Sequence, residues 1–260
     1  MNDQLVVGLI QSDLHWENTD ANLAMFEEKI WQFESPLDVV VLPEMFTTGF
    51  SMDASKLSEP MNSKTFRWMK QVAAQAKSLI IGSYIIKEQT QYYNRLFCVF
   101  PNGQFQYYDK RHLFSLAGEG KNYTAGKERL IIEWKGWRIL PLICYDLRFP
   151  VWSRSQNYEY DLLVYIANWP TPRVNAWDTL LQARAIENQS YVVGVNRIGE
   201  DGYGAAYNGH SAVIDYLGNS IAPPSEEACL TVRTLKKQPM QEFRNKYNFQ
   251  LEADRFKIMN

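Results

Sequence analysis

A chain of 260 residues, 46% hydrophobic and 14% aromatic, has enough apolar side chain for one large core. Its 27 basic and 29 acidic residues nearly cancel, which leaves no basic excess to bind a nucleic acid or an anionic membrane surface. No apolar run reaches the length of a membrane span, and the opening MNDQLVVGLIQSD lacks the basic region and cleavage site of a signal peptide. The three cysteines, Cys98, Cys144 and Cys229, are too scattered for a disulfide framework or a zinc cluster. A cytoplasmic protein of one domain spanning 1–260 is expected.

In chain order, QLVVGLIQ (4–11) reads as a buried strand. Leu23, Phe26, Ile30 and Phe33 then recur at helical spacing behind an Asn18/Thr19 cap. DVVVLP (38–43) is a second buried strand, and Phe66, Met69, Ala73 and Ala76 stripe a second helix. LIIGSYIIK (79–87) and YYNRLFCVF (92–100) are strands, and PNGQ turns the latter into FQYYDK (105–110) as a hairpin. RLIIEW (129–134) and WRILPLIC (137–144) flank a Lys-Gly turn. A strand from Asp161, a helix around Trp177, Leu180, Leu181 and Arg184, and the strands YVVGVN (191–196) and HSAVIDY (210–216) complete the body. The polar, lysine-rich stretch from about Thr234 reads as a C-terminal arm or short helix. Strands alternating with helices argue for an α/β fold, and the tight turns make its sheets mixed.

At four places a charged or nucleophilic group follows an apolar strand or sits in a loop beyond one. Glu44 comes just after DVVVLP, Lys110 ends the hairpin strand, Glu119 lies between two glycines, and Cys144 ends WRILPLIC. Sites in open α/β sheets collect beyond the carboxyl ends of strands, which would bring Glu44, Lys110 and Cys144 together. Each also has an ordinary reading: Cys144 as core, Glu44 and Glu119 as solvated loop acids, Lys110 as a rim lysine paired with Asp109. Of the three histidines, His15, His112 and His210, only His112 lies close enough in sequence to Lys110 to suggest a papain-like partner for the thiol. No orienting Asn or Asp is evident beside it, so a Cys–Glu arrangement is preferred.

The strings VVVLPEMF, YYDKRHLF and LPLICYDLRFP resemble, in order, the three signature segments of the nitrilase (carbon–nitrogen hydrolase) superfamily. The likeness extends over ANWP (167–170), QARAIENQSYVVGVNRIG (182–199) and GHSAVIDYLGN (209–219), and LPEMFTTGFSM (42–52) is similar to the omega-amidase branch. It implies a four-layer αββα sandwich that assembles through its helices as a homodimer or larger homo-oligomer. It also implies Cys144 as nucleophile, Glu44 as base, Lys110 as electrostatic partner and Glu119 as the loop acid that completes a tetrad.

In such a site Glu44 takes the Cys144 proton as sulfur attacks an amide carbonyl, and Lys110 with the Tyr145 N–H holds the oxyanion. A thioester forms and water hydrolyses it, with no metal or organic cofactor. The resemblance further implies a small-molecule substrate, the terminal amide of a short dicarboxylic acid monoamide such as 2-oxoglutaramate. Its distal carboxylate calls for a cation, for which Arg148 and Arg173 are the candidates. Phe46, Phe114, Tyr145 and Trp169 are candidates for the pocket walls. Arg148 has the alternative of a structural pair with Asp146, and the aromatics that of core packing.

Overall fold

The computed structural model describes residues 3–259. The first half of the chain forms β1 (Gln4–Gln11), α1 (Thr19–Trp31), β2 (Val39–Val41), α2 (Ala54–Leu57), β3 (Glu59–Pro60), α3 (Lys64–Ala76), β4 (Leu79–Glu88), β5 (Gln91–Val99), β6 (Phe105–Asp109) and α4 (Glu119–Asn122). The second half forms β7 (Ile132–Trp134), β8 (Trp137–Ile143), α5 (Pro150–Ser153), β9 (Leu162–Ala167), α6 (Val174–Asn188) and β10 (Tyr191–Asn196). It continues with β11 (Ile198–Glu200), β12 (Ala206–Asn208), β13 (Ala212–Ile214), β14 (Ser220–Ala222), β15 (Cys229–Lys236) and α7 (Lys237–Lys246).

Two mixed sheets result. One runs β15-β1-β2-β4-β5-β6 with β3 beside β4, and the other β14-β13-β10-β9-β8-β7, while β11 and β12 make a separate hairpin. The layers follow from alternation of side chains along each strand. Leu5, Val7, Leu9, Val39, Val41, Leu79 and Ile81 point inward, toward the face of the second sheet that carries Ile139, Ile143 and Val164. Ile10, Val40, Leu42 and Ile80 point the other way, onto Phe26 and Ile30 of α1 and Phe66, Met69 and Ala73 of α3. Asn18 caps α1, its side chain accepting from the Ala21 N–H. On the far side Trp177, Leu181 and Ala185 of α6 cover the second sheet. A Cβ on Gly194 of β10 would lie 2.5 Å from Leu181 Cδ1, so glycine there lets α6 settle close on the sheet. The order is helix, sheet, sheet, helix, an αββα sandwich.

The stretch expected as an arm or short helix begins inside β15, where Thr234, Leu235 and Lys236 pair with Val6, Leu5 and Gln4, and then forms a short helix, α7. Leu235 and Met240 belong to the core. Arg244 of α7 reaches the buried carboxylate of Asp161 at 3.1 Å, which Arg138 and Lys237 also hold, at 3.1 and 2.8 Å. The segment's polar and lysine-rich composition gives a solvated look, yet Leu235 and Met240 face inward while Tyr247, Phe249 and Leu251 stay exposed. β7 is shorter than the apolar run from Arg129, whose guanidinium instead binds the carbonyls of Trp152 and Arg154 at 3.2 Å each.

β1, β2 and β4 are mutually parallel, as are β8, β9 and β10. The strand ends that carry polar groups therefore gather at one edge of each sheet, and the two edges face each other across the sandwich. No helix among the described residues is long and apolar enough to cross a membrane.

Candidate active site

Glu44 follows Leu42 and Pro43, three residues past the end of β2, and it is fully buried. The chain there keeps pairing with β4: Leu42 N–H donates to Ile81 O at 2.8 Å and Phe46 N–H to Ser83 O at 3.0 Å. Met45 between them takes a left-handed backbone, φ 44°, and its N–H donates to Ser83 Oγ at 2.9 Å. That turn aims Glu44 at the second sheet. Lys110 follows β6 directly, its N–H bonded to Asn94 O at 3.0 Å. Gly126 makes this possible: its N–H donates to Lys110 O, and a Cβ there would meet Asp109 O at 2.1 Å.

Cys144 follows β8 and opens a 3₁₀ turn, Cys144–Arg148. Its own φ is 43°, a left-handed conformation that costs a non-glycine residue about 1–2 kcal/mol and turns the thiol out of the strand line. Cys144 Sγ lies 3.9 Å from Asn168 O at the end of β9. Glu119 opens α4 after Gly118, φ 76°, and Oε2 accepts from the Phe114 N–H at 2.5 Å.

These four side chains meet. Lys110 Nζ lies 2.9 Å from Glu44 Oε1 and 3.0 Å from each oxygen of Glu119, with all three groups sealed from solvent. The Phe50 ring sits under the ammonium, 4.9 Å away. Burial alone would depress the Lys110 pKa, but the carboxylates of Glu119 and Glu44 outweigh it and raise it, so the lysine stays an ammonium. Burial also pushes Glu119 upward, opposed by Lys110 and reinforced by Glu44. The Cys144 thiol is raised well above its ordinary range, first by burial and then by the Glu44 charge, with Lys110 opposing. The resting group is therefore a thiol beside a carboxylate, and deprotonation has to accompany attack.

Two further residues hold Glu44. Asn94 Nδ2 donates to Oε1 at 2.8 Å, and the Asn168 backbone N–H donates to Oε2 at 2.9 Å while its side chain binds Glu44 O at 2.6 Å. Neither asparagine was singled out from the sequence. Asn94 had a usable signal, a polar residue inside an apolar strand, where a buried amide must find partners. Asn168 lies in the ANWP segment.

Cys144 and Lys110 open onto a pocket of about 410 Å³, a volume suited to a small molecule. Phe114, Tyr145 and Trp169 line it together with Arg148 and Arg173. Phe46 does not. It is buried on the opposite side of the Glu44 turn, 5.6 Å from Phe26 and 5.8 Å from Trp68, because the left-handed backbone of Met45 breaks the alternation that would keep Glu44 and Phe46 on one face and sends the ring into the layer beneath α1 and α3. Phe50 and Met52 supply that wall instead. Asp109, the partner Lys110 would have had as an ordinary rim lysine, is taken by Arg95 at 2.6 Å.

Arg148 stacks on Trp169 at 4.9 Å and Arg173 on Phe114 at 5.1 Å. Neither makes an ion pair among the described residues: Asp146, the acid nearest Arg148 in sequence, is engaged by other groups. The remaining wall is the β11–β12 hairpin, whose short strands carry no clear periodic pattern in the sequence. Asp201 organises it, accepting from Tyr203 N, Ala205 N and Tyr207 OH at 2.7–2.9 Å, and Tyr203 OH accepts from Met52 N at 3.1 Å.

The two-sheet sandwich brings a buried acid, ammonium and thiol together at its edge, and residues 6–245 match the carbon–nitrogen hydrolase family model. The chain belongs to the carbon–nitrogen hydrolase family, enzymes acting on carbon–nitrogen bonds. It is 46% identical over 255 residues to the omega-amidase YafV of Escherichia coli, covering 98% of each chain. It is 31% identical over 242 residues to the 2-oxoglutaramate amidase of Bacillus subtilis, covering 92% of this chain and 93% of that one. The crystal structure of XC1258 from Xanthomonas campestris, a CN-hydrolase superfamily protein with an arsenic adduct in its active site, superposes with a TM-score of 0.97. It shares 39% identity over the full length of both chains.

Proposed function

We propose that this protein is an omega-amidase that hydrolyses the terminal amide of short dicarboxylic acid monoamides, 2-oxoglutaramate foremost, through a thioester on Cys144. The reading rests on one observation above others: a pocket that holds the Cys144 thiol at its base and two guanidiniums, Arg148 and Arg173, without ion-pair partners among the described residues. The names of the relatives in Escherichia coli and Bacillus subtilis support the same substrate class.

In this scheme Glu44 accepts the thiol proton as Sγ attacks the amide carbon. The oxyanion forms against the Lys110 ammonium and the Tyr145 N–H, which lies in the first turn of the 3₁₀ segment and so has no intrahelical acceptor. Glu44 returns its proton to the departing amine, ammonia leaves, and the same carboxylate activates a water that cleaves the thioester. Glu119 keeps Lys110 charged and aimed. The distal carboxylate of the substrate pairs with Arg148 or Arg173. The protein works as a homodimer or larger homo-oligomer joined through its helices, and Ile186 of α6, half exposed, is the apolar spot such a contact would cover.

The test is ammonia release from 2-oxoglutaramate by the wild type and by Cys144→Ala, with mass spectrometry of the trapped acyl-enzyme. Turnover that survives the substitution would sink the scheme. Equal kcat/KM for a neutral amide of the same length would sink the substrate assignment.

A further inference from the structure

The carboxylate of Asp146, two residues past the thiol, is fully buried and takes four hydrogen bonds from two parts of the chain. On the side of the nucleophile, Oδ2 accepts from the N–H of Ile143, the residue before Cys144, at 3.0 Å. On the other side it grips the chain on both flanks of Lys110. Tyr108, two residues before the lysine, donates its hydroxyl to Oδ2 at 2.7 Å. His112, two residues after it, gives its backbone N–H to Oδ1 at 3.0 Å, and its Nδ1 lies 2.8 Å from the same oxygen.

Each of these groups is itself held. Tyr108 OH accepts from Trp152 Nε1 at 3.0 Å and from the Arg111 N–H at 3.1 Å. The His112 ring stacks on Phe149 with centroids 3.7 Å apart and planes 7° from parallel. His112 therefore does have an acidic partner, contrary to the expectation from sequence, but the acid ties the ring into the framework behind the site. His112 is not among the residues lining the pocket.

We propose that Asp146 is a positioning residue whose carboxylate fixes the Lys110 segment against the Cys144 turn, with Tyr108 and His112 as its two anchors. Neither strand end carries this relation by itself. β6 and β8 belong to different sheets, and Cys144 has a left-handed backbone that must be held from outside. One carboxylate bonded to both segments supplies a common reference point. A misplacement of about 1 Å between reacting groups can cost about a hundredfold in rate. The inference rests on the roles proposed above for Lys110 and Cys144.

Three substitutions test it: Asp146→Asn, Tyr108→Phe and His112→Phe. The last two keep a ring and delete one side-chain bond to Asp146. Competent thiols are counted in each by stoichiometric labelling with iodoacetamide, and turnover of 2-oxoglutaramate is expressed per labelled thiol. Positioning predicts that kcat per thiol falls, by about tenfold or more in Asp146→Asn and about threefold or more in the ring variants, with KM within about twofold. A merely structural role predicts fewer competent thiols, each turning over at the wild-type rate, and that result in Tyr108→Phe and His112→Phe overturns the inference even if Asp146→Asn does not fold. A wild type that labels at Cys144 yet releases no ammonia defeats the proposed function instead, a separate outcome from wild-type turnover that the variants leave unchanged.

Discussion

Lys110 and Glu119 meet symmetrically, Nζ standing 3.0 Å from both carboxylate oxygens, and the Phe114 N–H fixes that carboxylate from behind. Glu119 is thus positioned to aim the ammonium, with Glu44 on its other side. If Lys110 has the oxyanion role proposed for it, Lys110→Met lowers kcat by about a hundred- to a thousandfold, the usual effect of losing such a donor. It also leaves two buried carboxylates facing each other, so thermal denaturation should show a loss of about 3 kcal/mol or more. Glu119→Gln, which keeps one acceptor, should cost less in rate than Lys110→Met. Equal losses in the ammonia assay would mean that Glu119 does more than aim the lysine.

Glu44 affects the thiol in two opposed ways. It is the proposed base, yet after burial it is the largest influence raising the Cys144 pKa. Removing its charge lowers the thiol pKa and enlarges the thiolate fraction at a given pH. Glu44→Gln should therefore lose amide turnover by about a hundredfold or more while Cys144 alkylates faster than in the wild type at pH 8. Iodoacetamide labelling rates followed across alkaline pH measure this. A profile unshifted, or shifted to higher pH, would contradict the stated electrostatics.

Arg148 and Arg173 both line the pocket, and each rests on an aromatic ring. A guanidinium that binds the substrate carboxylate contributes about 1.5–3 kcal/mol, roughly a ten- to hundredfold change in kcat/KM. Arg148→Gln and Arg173→Gln are expected to separate the two, one raising KM for 2-oxoglutaramate by that amount and neither affecting a neutral amide. If neither changes the ratio between the two substrates, the pocket recognises its ligand by other groups.

Asp161 joins the C-terminal helix to the second sheet through Arg138, Lys237 and Arg244. Burial would raise its pKa, but hydrogen bonds from Arg138 and Lys237 prevail and hold it below the ordinary carboxylate value. A depressed native pKa contributes stability that is present above the unfolded value, near 3.9, and is lost as pH falls toward the native one. Urea midpoints measured from pH 6 down to pH 3 should therefore fall most steeply below about pH 4 in the wild type. Asp161→Asn should start about 3 kcal/mol lower at pH 6, because three cations lose their shared anion, and should show a weaker acid dependence.

Much of this architecture could be read along the chain. Strands 4–11, 79–87 and 92–100 announce themselves because burial on both faces leaves continuous apolar runs. The positions of Glu44 and Cys144 stand out because each polar group abruptly ends such a run, whereas Lys110 is marked by the end of a half-exposed hairpin strand. Phe46 was misassigned for a reason of the same kind: nearness to Glu44 in sequence says nothing about which side of a turn a ring takes. The left-handed residue Met45, which breaks the alternation between the two, decides that. The C-terminal segment shows its short helix in the sequence, but not that Leu235 and Met240 enter the core and that Lys237 and Arg244 bind Asp161, because its composition is polar almost throughout.

Local pattern by itself determined the elements, their alternation and the residue types available for chemistry, since burial and backbone preference act over a few neighbouring residues. Only the tertiary structure decided that Asn94 and Asn168 hold Glu44, that Phe50 and the β11–β12 hairpin wall the pocket, and that Asp146 joins two segments 34 residues apart. Those relations depend on how two sheets stack and where their edges meet. Directional hydrogen bonds of about 3 Å between distant parts of a chain leave no periodic trace in it.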